Sequence, residues 1–440
     1  MALYSSSFSW GRDSIEFAAV DGDVHSGTAE IVERQNAWIL KSPGSFPFSN
    51  RGPQRRALSI EINGDQAILI GNIYIIDGDA GLCVDEIRIG TTEVEQDFVS
   101  VMATFEWLRP LCENRRTDGP ARKLSDSLRL PRLDSAPEMT AYLHPDKEQV
   151  RIESSVPTKL EDFDKHVSAF QDLITFASDR PRSRVKYEAT DQRGNTVVII
   201  GRDKYSPFGN YRRQSAECSL RLGSTHLQAI VDRWWEARET LRPVTQIAVA
   251  LKYQPGFVES DIILTAASIE HFANAVGTKT RPVLDKPARK PITDALKQLK
   301  ADLQQRGGEP LTTQRQIEVI DGFMTHMGHK GLREKTKSLV ASLPGRTIEK
   351  SRIDVDAWET YFMDTRNGIA HGGNKLEGKR DLWLETNLMR VVRDANYVIL
   401  TLLLLNHLGI PVESIELAAS RLGIRYGKRD SEAEIFRASS

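Results

Sequence analysis

The ten residues from Asp364 to Gly373 hold the side chains of this chain best suited to chemistry. Arg366 and His371 stand five positions apart, with Asn367 beside the arginine and Gly372-Gly373 just beyond the histidine. Five helical residues turn the side-chain direction by a full turn plus roughly 140°. The two groups therefore do not stack, yet a long arginine stem can swing its guanidinium toward a groove that an imidazole enters. His371 falls at an expected helix C-terminus, where the negative end of the dipole favours imidazolium and keeps titration near working pH. Arg366 offers planar, paired donors to a phosphate. Asn367 adds a neutral donor and acceptor. This is equipment for cleaving RNA through the ribose 2′-OH. A base takes the 2′ proton, a cation stabilises the phosphorane, and an acid protonates the leaving 5′ oxygen, with no metal required.

One chain supplies a single Arg–His set, and two chains facing each other would supply two. Glu270, at the end of an apolar helical face and followed by His271, is a candidate to orient Arg366 from a neighbouring helix. The plainer alternative is that Arg366 and His371 cap their helix and pair with Asp364 or Glu359. Asp364 is retained with Glu270 as a supporting candidate.

Two basic stretches are weaker candidates for tracking an RNA backbone. The first holds Arg182, Arg184 and Lys186, with Tyr187 as a possible base platform. The second holds Lys279 and Arg281, followed by Lys286, Arg289 and Lys290. Solvated loop charge explains both more simply. His326 and His329 are spaced for shared metal ligation, but no third ligand follows, so no metal site is expected. Phosphate-binding, dinucleotide-binding and serine-nucleophile motifs are missing, and no cofactor is expected.

The bulk numbers agree with an ordinary globular chain. Of 440 residues, 59 are Lys or Arg and 60 are Asp or Glu, which argues against a protein wrapped globally around nucleic acid. A local basic groove stays compatible with that balance. The three cysteines, Cys83, Cys112 and Cys218, are far apart and support neither a disulfide framework nor a zinc site. The N-terminus lacks a continuous apolar core, and the apolar run from Tyr397 to Leu405 is too short to span a bilayer. The expectation is a cytoplasmic protein without membrane contact.

Several elements must position these residues. Residues 57–62 alternate and 66–77 are β-branched, with Asn63-Gly64 between them as a hairpin signal and Asp77-Gly78 as the next turn. The stretch 114–137 reads as a long irregular connection, and Val150 to Ser155 as a strand. Apolar spacing predicts a helix over Leu160 to Ala177, then a hairpin around Arg193-Gly194-Asn195. A helix carrying Trp234-Trp235, on an apolar face, ends or kinks at Pro243. From Asp261 onward the pattern is helical. A loop with Pro282, Pro287 and Pro291 should precede helices over about 292–305, 313–327 and 332–343. Asp356 is the expected N-cap of a helix that turns Trp358, Phe362 and Ile369 to the core and ends at Gly372-Gly373. A final long helix, about 379–407, should be central and buried. The predicted class is α+β, with a β-rich region over 1–215 and an all-α bundle over 216–440, its core at about 257–410.

The segment Arg366-Asn367-x-x-x-His371 matches the Arg-x(4–6)-His motif of HEPN domains. Gly256-Phe257-Val258-Glu259, with Ile262 to Glu270 after it, resembles the opening helix of ApeA-like HEPN domains. Asp172 to Ala177 with Arg180-Pro181, and Trp234-Trp235 with Leu241-Arg242-Pro243, are similar to the region that precedes that domain in the same family. The resemblance spans most of the chain and is strongest after about residue 225. It implies an antiphage abortive-infection protein whose helical HEPN domain is a metal-independent endoribonuclease. It further implies Arg366 and His371 as catalytic, Asn367 as supporting, a homodimer or higher homo-oligomer through the HEPN domain, and a phage-derived trigger. The alternative is a HEPN module that binds nucleotide, RNA or a partner protein without cleaving. A purely structural role, with the long apolar helix as an oligomer interface, is a third reading.

Overall fold

The computed structural model describes residues 16–19, 24–26, 30–34, 37–41, 55–62, 65–76, 79–91, 93, 95–105, 108, 127–132, 137–182, 184–201, 227–253, 256–276, 286–305, 314–321, 332–370, 375–376, 380–381, 386–427 and 435. The chain is α+β, with its strands concentrated in the first half and helices in the second. It divides into two compact units, Met1–Trp235 and Glu236–Ser440. The division falls inside a helix, later in the chain than the change of hydrophobic pattern near residues 205–225.

The first unit is built on one antiparallel sheet of 13 strands. Strands β5 (Arg55–Ile62) and β6 (Asp65–Ile76) form the expected hairpin, with Ile62 opposite Asp65. The turn residues Asn63 and Gly64 lie outside the described residues. β7 (Asp79–Ile89) returns along β6, with Ile76 opposite Asp79. The β6–β7 register shifts between Ile70 and Gly71, which leaves Asp85 as an extra residue in β7. There the other edge of β7 changes partner: residues 81–84 pair with β4 (Ala37–Lys41) and 86–89 with β13 (Thr196–Gly201). Beyond β13 the order runs through β12 (Arg184–Thr190), β8 (Asp97–Phe105), β11 (Gln149–Lys159) and β10 (Met139–His144) to β9 (Ser127–Arg129). The last strand corrects the expectation of a wholly irregular 114–137. Ser127–Arg129 pairs with Thr140–Tyr142 because backbone pairing at a sheet edge asks little of side-chain pattern.

Helix α1 (Leu160–Ser178) packs on β8 and β11, and 13 of its 19 residues are buried. Helix α2 (Leu227–Thr240) brings two buried indoles to it. Trp234 donates Nε1–H to the Ala169 carbonyl at 3.0 Å, and Trp235 donates to His166 Nδ1 at 2.9 Å. Both polar edges are thus satisfied while the rings pack on Phe176 and Phe170. These tryptophans are core residues of the first unit.

In the second unit, α2 gives way at Leu241 to α3 (Arg242–Tyr253). Pro243 takes the second position of α3, where its missing N–H would have had no helical partner anyway. Helix α4 (Val258–Ala275) packs against α3 and three later helices: α7 (Leu332–Ala341), α9 (Val355–Ala370) and α10 (Thr386–His407). Between α4 and α7 come α5 (Lys286–Gln305) and a helix over 314–321, α6. The short α8 (Thr347–Ser351) separates α7 from α9, and α11 (Val412–Gly427) follows α10.

Four boundaries differ from expectation for identifiable reasons. Helix α5 begins at Lys286, not after Pro291. Pro287 falls in its first turn, and Pro291 costs one interior hydrogen bond. The expected loop proline Pro282 lies outside the described residues. The cap of α9 is Asp354 rather than Asp356: its Oδ1 accepts the N–H groups of Asp356 and Ala357, both at 3.1 Å. In α9, Trp358 and Phe362 are fully buried but Ile369 only half so. Helix α10 begins at Thr386 rather than near 379, because Lys375–Leu376 and Arg380–Asp381 first pair as two short strands, β14 and β15.

Helix α10 is central as expected, with Val391, Val392 and Val398 to Leu405 buried. That burial removes its apolar face from service as an oligomer interface. Inside this core, Asn396 accepts the Trp358 indole N–H at 2.8 Å and donates to Thr265 Oγ1 at 3.2 Å. The Thr265 hydroxyl in turn donates to the Asp261 carbonyl at 2.8 Å. Helices α8 and α11 approach to backbone distance: a Cβ placed on Gly423 would stand 2.3 Å from the Ser351 carbonyl oxygen.

Replacing Asp354 with alanine should cost about 1 kcal/mol of stability, the usual value of an N-cap. Asp356→Ala removes only an exposed 3.2 Å ion pair with Lys337 and should cost less. Denaturant unfolding followed by helical circular dichroism compares the two, and equal losses would refute the cap assignment.

Candidate functional site

Arg366 lies one turn before the end of α9 at Ala370. Its side chain is one-third exposed, so it stands at a surface rather than in the core. Nη2 is 3.8 Å from Oε2 of Glu270, which α4 presents from its last two turns. That separation is an electrostatic contact and exceeds hydrogen-bond range. Nη1 donates to Asn367 Oδ1 at 3.0 Å. The structure thus brings together Arg366, Asn367 and Glu270, on two packed helices. Asp364 is exposed and about 200° around the helix from Arg366, which points it away. His371 lies outside the described residues.

Glu359, the other acid considered for Arg366, has different partners. It is buried, with Oε1 2.5 Å from Arg333 Nε and Oε2 3.5 Å from Lys337 Nζ, both on α7. A carboxylate seven residues before Arg366 shares its helix face. Its charge is therefore met by α7, and the Arg366 charge by α4. His271, the neighbour of Glu270, is half-buried. Its Nε2 is shielded from solvent and has no hydrogen-bond partner among the described residues.

The first basic stretch is occupied within its own unit. Arg182 donates Nε–H to Ser178 Oγ at 3.0 Å, and its carbonyl accepts from Gln171 at 2.9 Å. Arg184 pairs with Asp164 at 3.2 Å and covers the Tyr187 ring, its guanidinium carbon 4.4 Å from the centroid. Lys186 pairs with Glu188 at 2.5 Å. Tyr187 is 3% exposed, so its ring has no open face for a base. Burial pushes its phenol well above the usual range, and the Asp164 charge adds to that rise. Burial likewise raises the Asp164 carboxyl, against the pull of Arg184. Lys279, Arg281, His326 and His329 lie outside the described residues. So do the side chains of Lys286 and Arg289, while Lys290 is exposed on α5.

Sequence reasoning missed two buried charges in the helical unit. Asp261, in the first turn of α4, is 3% exposed and accepts the Gly256 N–H at 3.2 Å. Asp394 on α10 is equally buried, and Arg393 reaches its Oδ1 with Nε and Nη2 at 2.9 and 2.7 Å. Burial pushes the Asp261 carboxyl up, the Gly256 N–H and the Arg393 charge pull it back, and Asp394 adds to the rise. The available signal was a polar cluster, Arg393-Asp394-Ala395-Asn396, inside the most apolar helix.

No protein-family model, curated protein or solved structure matches this chain. Among the described residues, no helix is long and apolar enough to cross a membrane.

A carboxyl whose folded pKa lies above its unfolded value stabilises below the unfolded value and loses that contribution as pH rises through the folded one. Asp261 is such a group. The stability of wild type relative to Asp261→Asn should therefore fall as pH rises above about 4, the ordinary aspartate value. Paired denaturation curves across that range test this, and a difference constant with pH would refute it.

Proposed function

We propose that the second unit is a metal-independent endoribonuclease of the HEPN type. In this reading Arg366 clamps the scissile phosphate, His371 carries the proton, and Asn367 supports them. The 2′ oxygen attacks phosphorus and the P–O5′ bond breaks. The 2′ proton goes to a base and the leaving oxygen receives one from an acid, giving a 2′,3′-cyclic phosphate and a 5′-hydroxyl. Paired chains supply two Arg–His sets, and the sheet-rich unit senses or restrains. The biological setting is antiphage abortive infection, with a phage-derived trigger.

The observation that carries this reading is the setting of Arg366. It is one-third exposed near a helix end, and Glu270 holds it loosely at 3.8 Å. An arginine locked in a short bidentate pair would have few donors left for phosphate. At 3.8 Å the guanidinium can exchange its carboxylate for a phosphate at modest cost. Arg182 and Arg184, tied to their own unit, offer no such freedom.

A non-catalytic RNA- or partner-binding module is favoured by the same contact read the other way. Glu270 offsets part of the charge that a phosphorane needs. The product distinguishes the two: binding without cyclic-phosphate ends supports the module.

With chelator present and infected-cell extract added to relieve restraint, the wild type should cut labelled RNA to cyclic-phosphate ends. Arg366→Ala and His371→Ala should each slow cutting by about 100-fold or more. Undiminished cutting in both variants would overturn the assignment.

A further inference from the structure

Proton transfer from the ribose 2′-OH needs a base, and the surroundings of Arg366 offer few. Asn367 has a carboxamide, which is no base. Asp364 points away around the helix, and Glu359 is buried against Arg333 and Lys337. His271 keeps its Nε2 shielded from solvent. Glu270 differs from all of these. Its side chain is 41% exposed, and Oε2 stands 3.8 Å from Arg366 Nη2. Among the described residues it is the one acid beside that guanidinium.

We propose that Glu270 is the general base that takes the 2′ proton, an inference that rests on the ribonuclease reading. A phosphate oxygen that accepts from Nη2 lies about 2.8 Å from it. In a near-attack arrangement the 2′ oxygen lies about 3 to 3.5 Å from the same phosphorus. A carboxylate one ion-pair width from the guanidinium therefore comes within hydrogen-bond reach of the 2′-OH on the phosphate that Arg366 holds. The long pairing matters here. A carboxylate locked in a short bidentate pair would have its lone pairs engaged, whereas Glu270 keeps them for the proton. Besides Arg366, Lys335 of α7 comes to this face of α4, where it donates to Asn274 Oδ1 at 2.9 Å. An RNA strand at Glu270 thus meets a second cation one helical turn away.

Glu270 receives the proton of O2′, and the electrons of that O–H bond go to the new bond between O2′ and phosphorus. The P–O5′ bond breaks with its electron pair on O5′, which takes a proton from His371. One proton passing from Glu270 to His371 through water resets the site. Charge explains why the base belongs beside the clamp. Before the reaction, the carboxylate offsets part of the Arg366 charge. Once protonated it no longer does, and the guanidinium acts on the phosphorane at full strength. The pair therefore favours the transition state over bound substrate, which raises rate rather than affinity.

The test is steady-state cutting by the full chain, in chelator and infected-cell extract, from about pH 4 to about pH 9. Wild type is compared with Glu270→Gln and Glu270→Asp. Both variants change an exposed side chain, so circular dichroism should match the wild type. Glu270→Gln should lower kcat about 100-fold or more, while KM stays level or falls by up to about fivefold. It should also lose the decline in rate at acid pH that the wild type shows. Glu270→Asp keeps a carboxylate one methylene shorter, so it should retain that decline and recover part of the rate. A residue that only held Arg366 in place would give the opposite split. KM would rise in Glu270→Gln and the acid decline would persist, and that result would overturn the proposal. Equal kcat in wild type and Glu270→Gln would overturn it as well, while leaving Arg366 and His371 in their roles. A wild type that cuts no RNA would end the ribonuclease reading and this proposal together.

Discussion

The second unit depends on one carboxamide. Asn396 stands in a helix otherwise dominated by Val, Leu and Ile, and it joins three helices by joining an indole to a hydroxyl. An unpaired amide in such a core would cost roughly 1–3 kcal/mol, so the arrangement that satisfies it is strongly selected. Purely apolar packing between α4, α9 and α10 would tolerate neighbouring rotations of similar energy. The amide does not. It admits the one rotation in which Trp358 and Thr265 both reach it, and that choice sets which face of α9 is exposed.

The position of Arg366 follows from that choice. Trp358 and Phe362 face inward, and Glu359 turns to α7. The next residue on the Glu359 face is Arg366, where α9 leaves the core beside the end of α4. Glu270 is there to receive it. The charged groups thus form two separate pairings along one helix face: a buried acid held by two cations, and a surface cation held loosely by one acid. The buried pairing suits structure, and the loose one suits ligand exchange.

Much of this was legible from local pattern. Alternation and Asn63-Gly64 gave the β5–β6 hairpin, and seven apolar residues at helical spacing gave α1. The errors have local causes too. Asp354 and Asp356 are both plausible caps two residues apart, and only the backbone direction at the helix start decides between them. Prolines at 287 and 291 read as a loop, because sequence does not reveal that a helix starts early enough to place one of them in its first turn. At the site, residue types were legible and Glu270 was a candidate partner of Arg366, but the choice between it and the acids on the arginine's own helix was not. Glu270 lies far from Arg366 in sequence, and Glu359 is on the same helix face, yet α7 takes the nearer acid and α4 supplies the farther one. The buried charges of Asp261 and Asp394 were not singled out, since a polar side chain on an amphipathic helix carries no mark of what covers it.

The contact at Gly423 bears on the order in which the second unit is assembled. Helix α8 rests against the backbone of α11 through a gap with no room for even a methyl group. Residues 347–351 therefore have no finished seat until the chain has grown past residue 423. On a ribosome, where chains emerge from the N-terminus, the sheet-rich unit can fold while this bundle waits for α11. A nascent chain would complete the helical unit only after residue 423 has emerged, which keeps any activity of that unit from preceding the unit made before it.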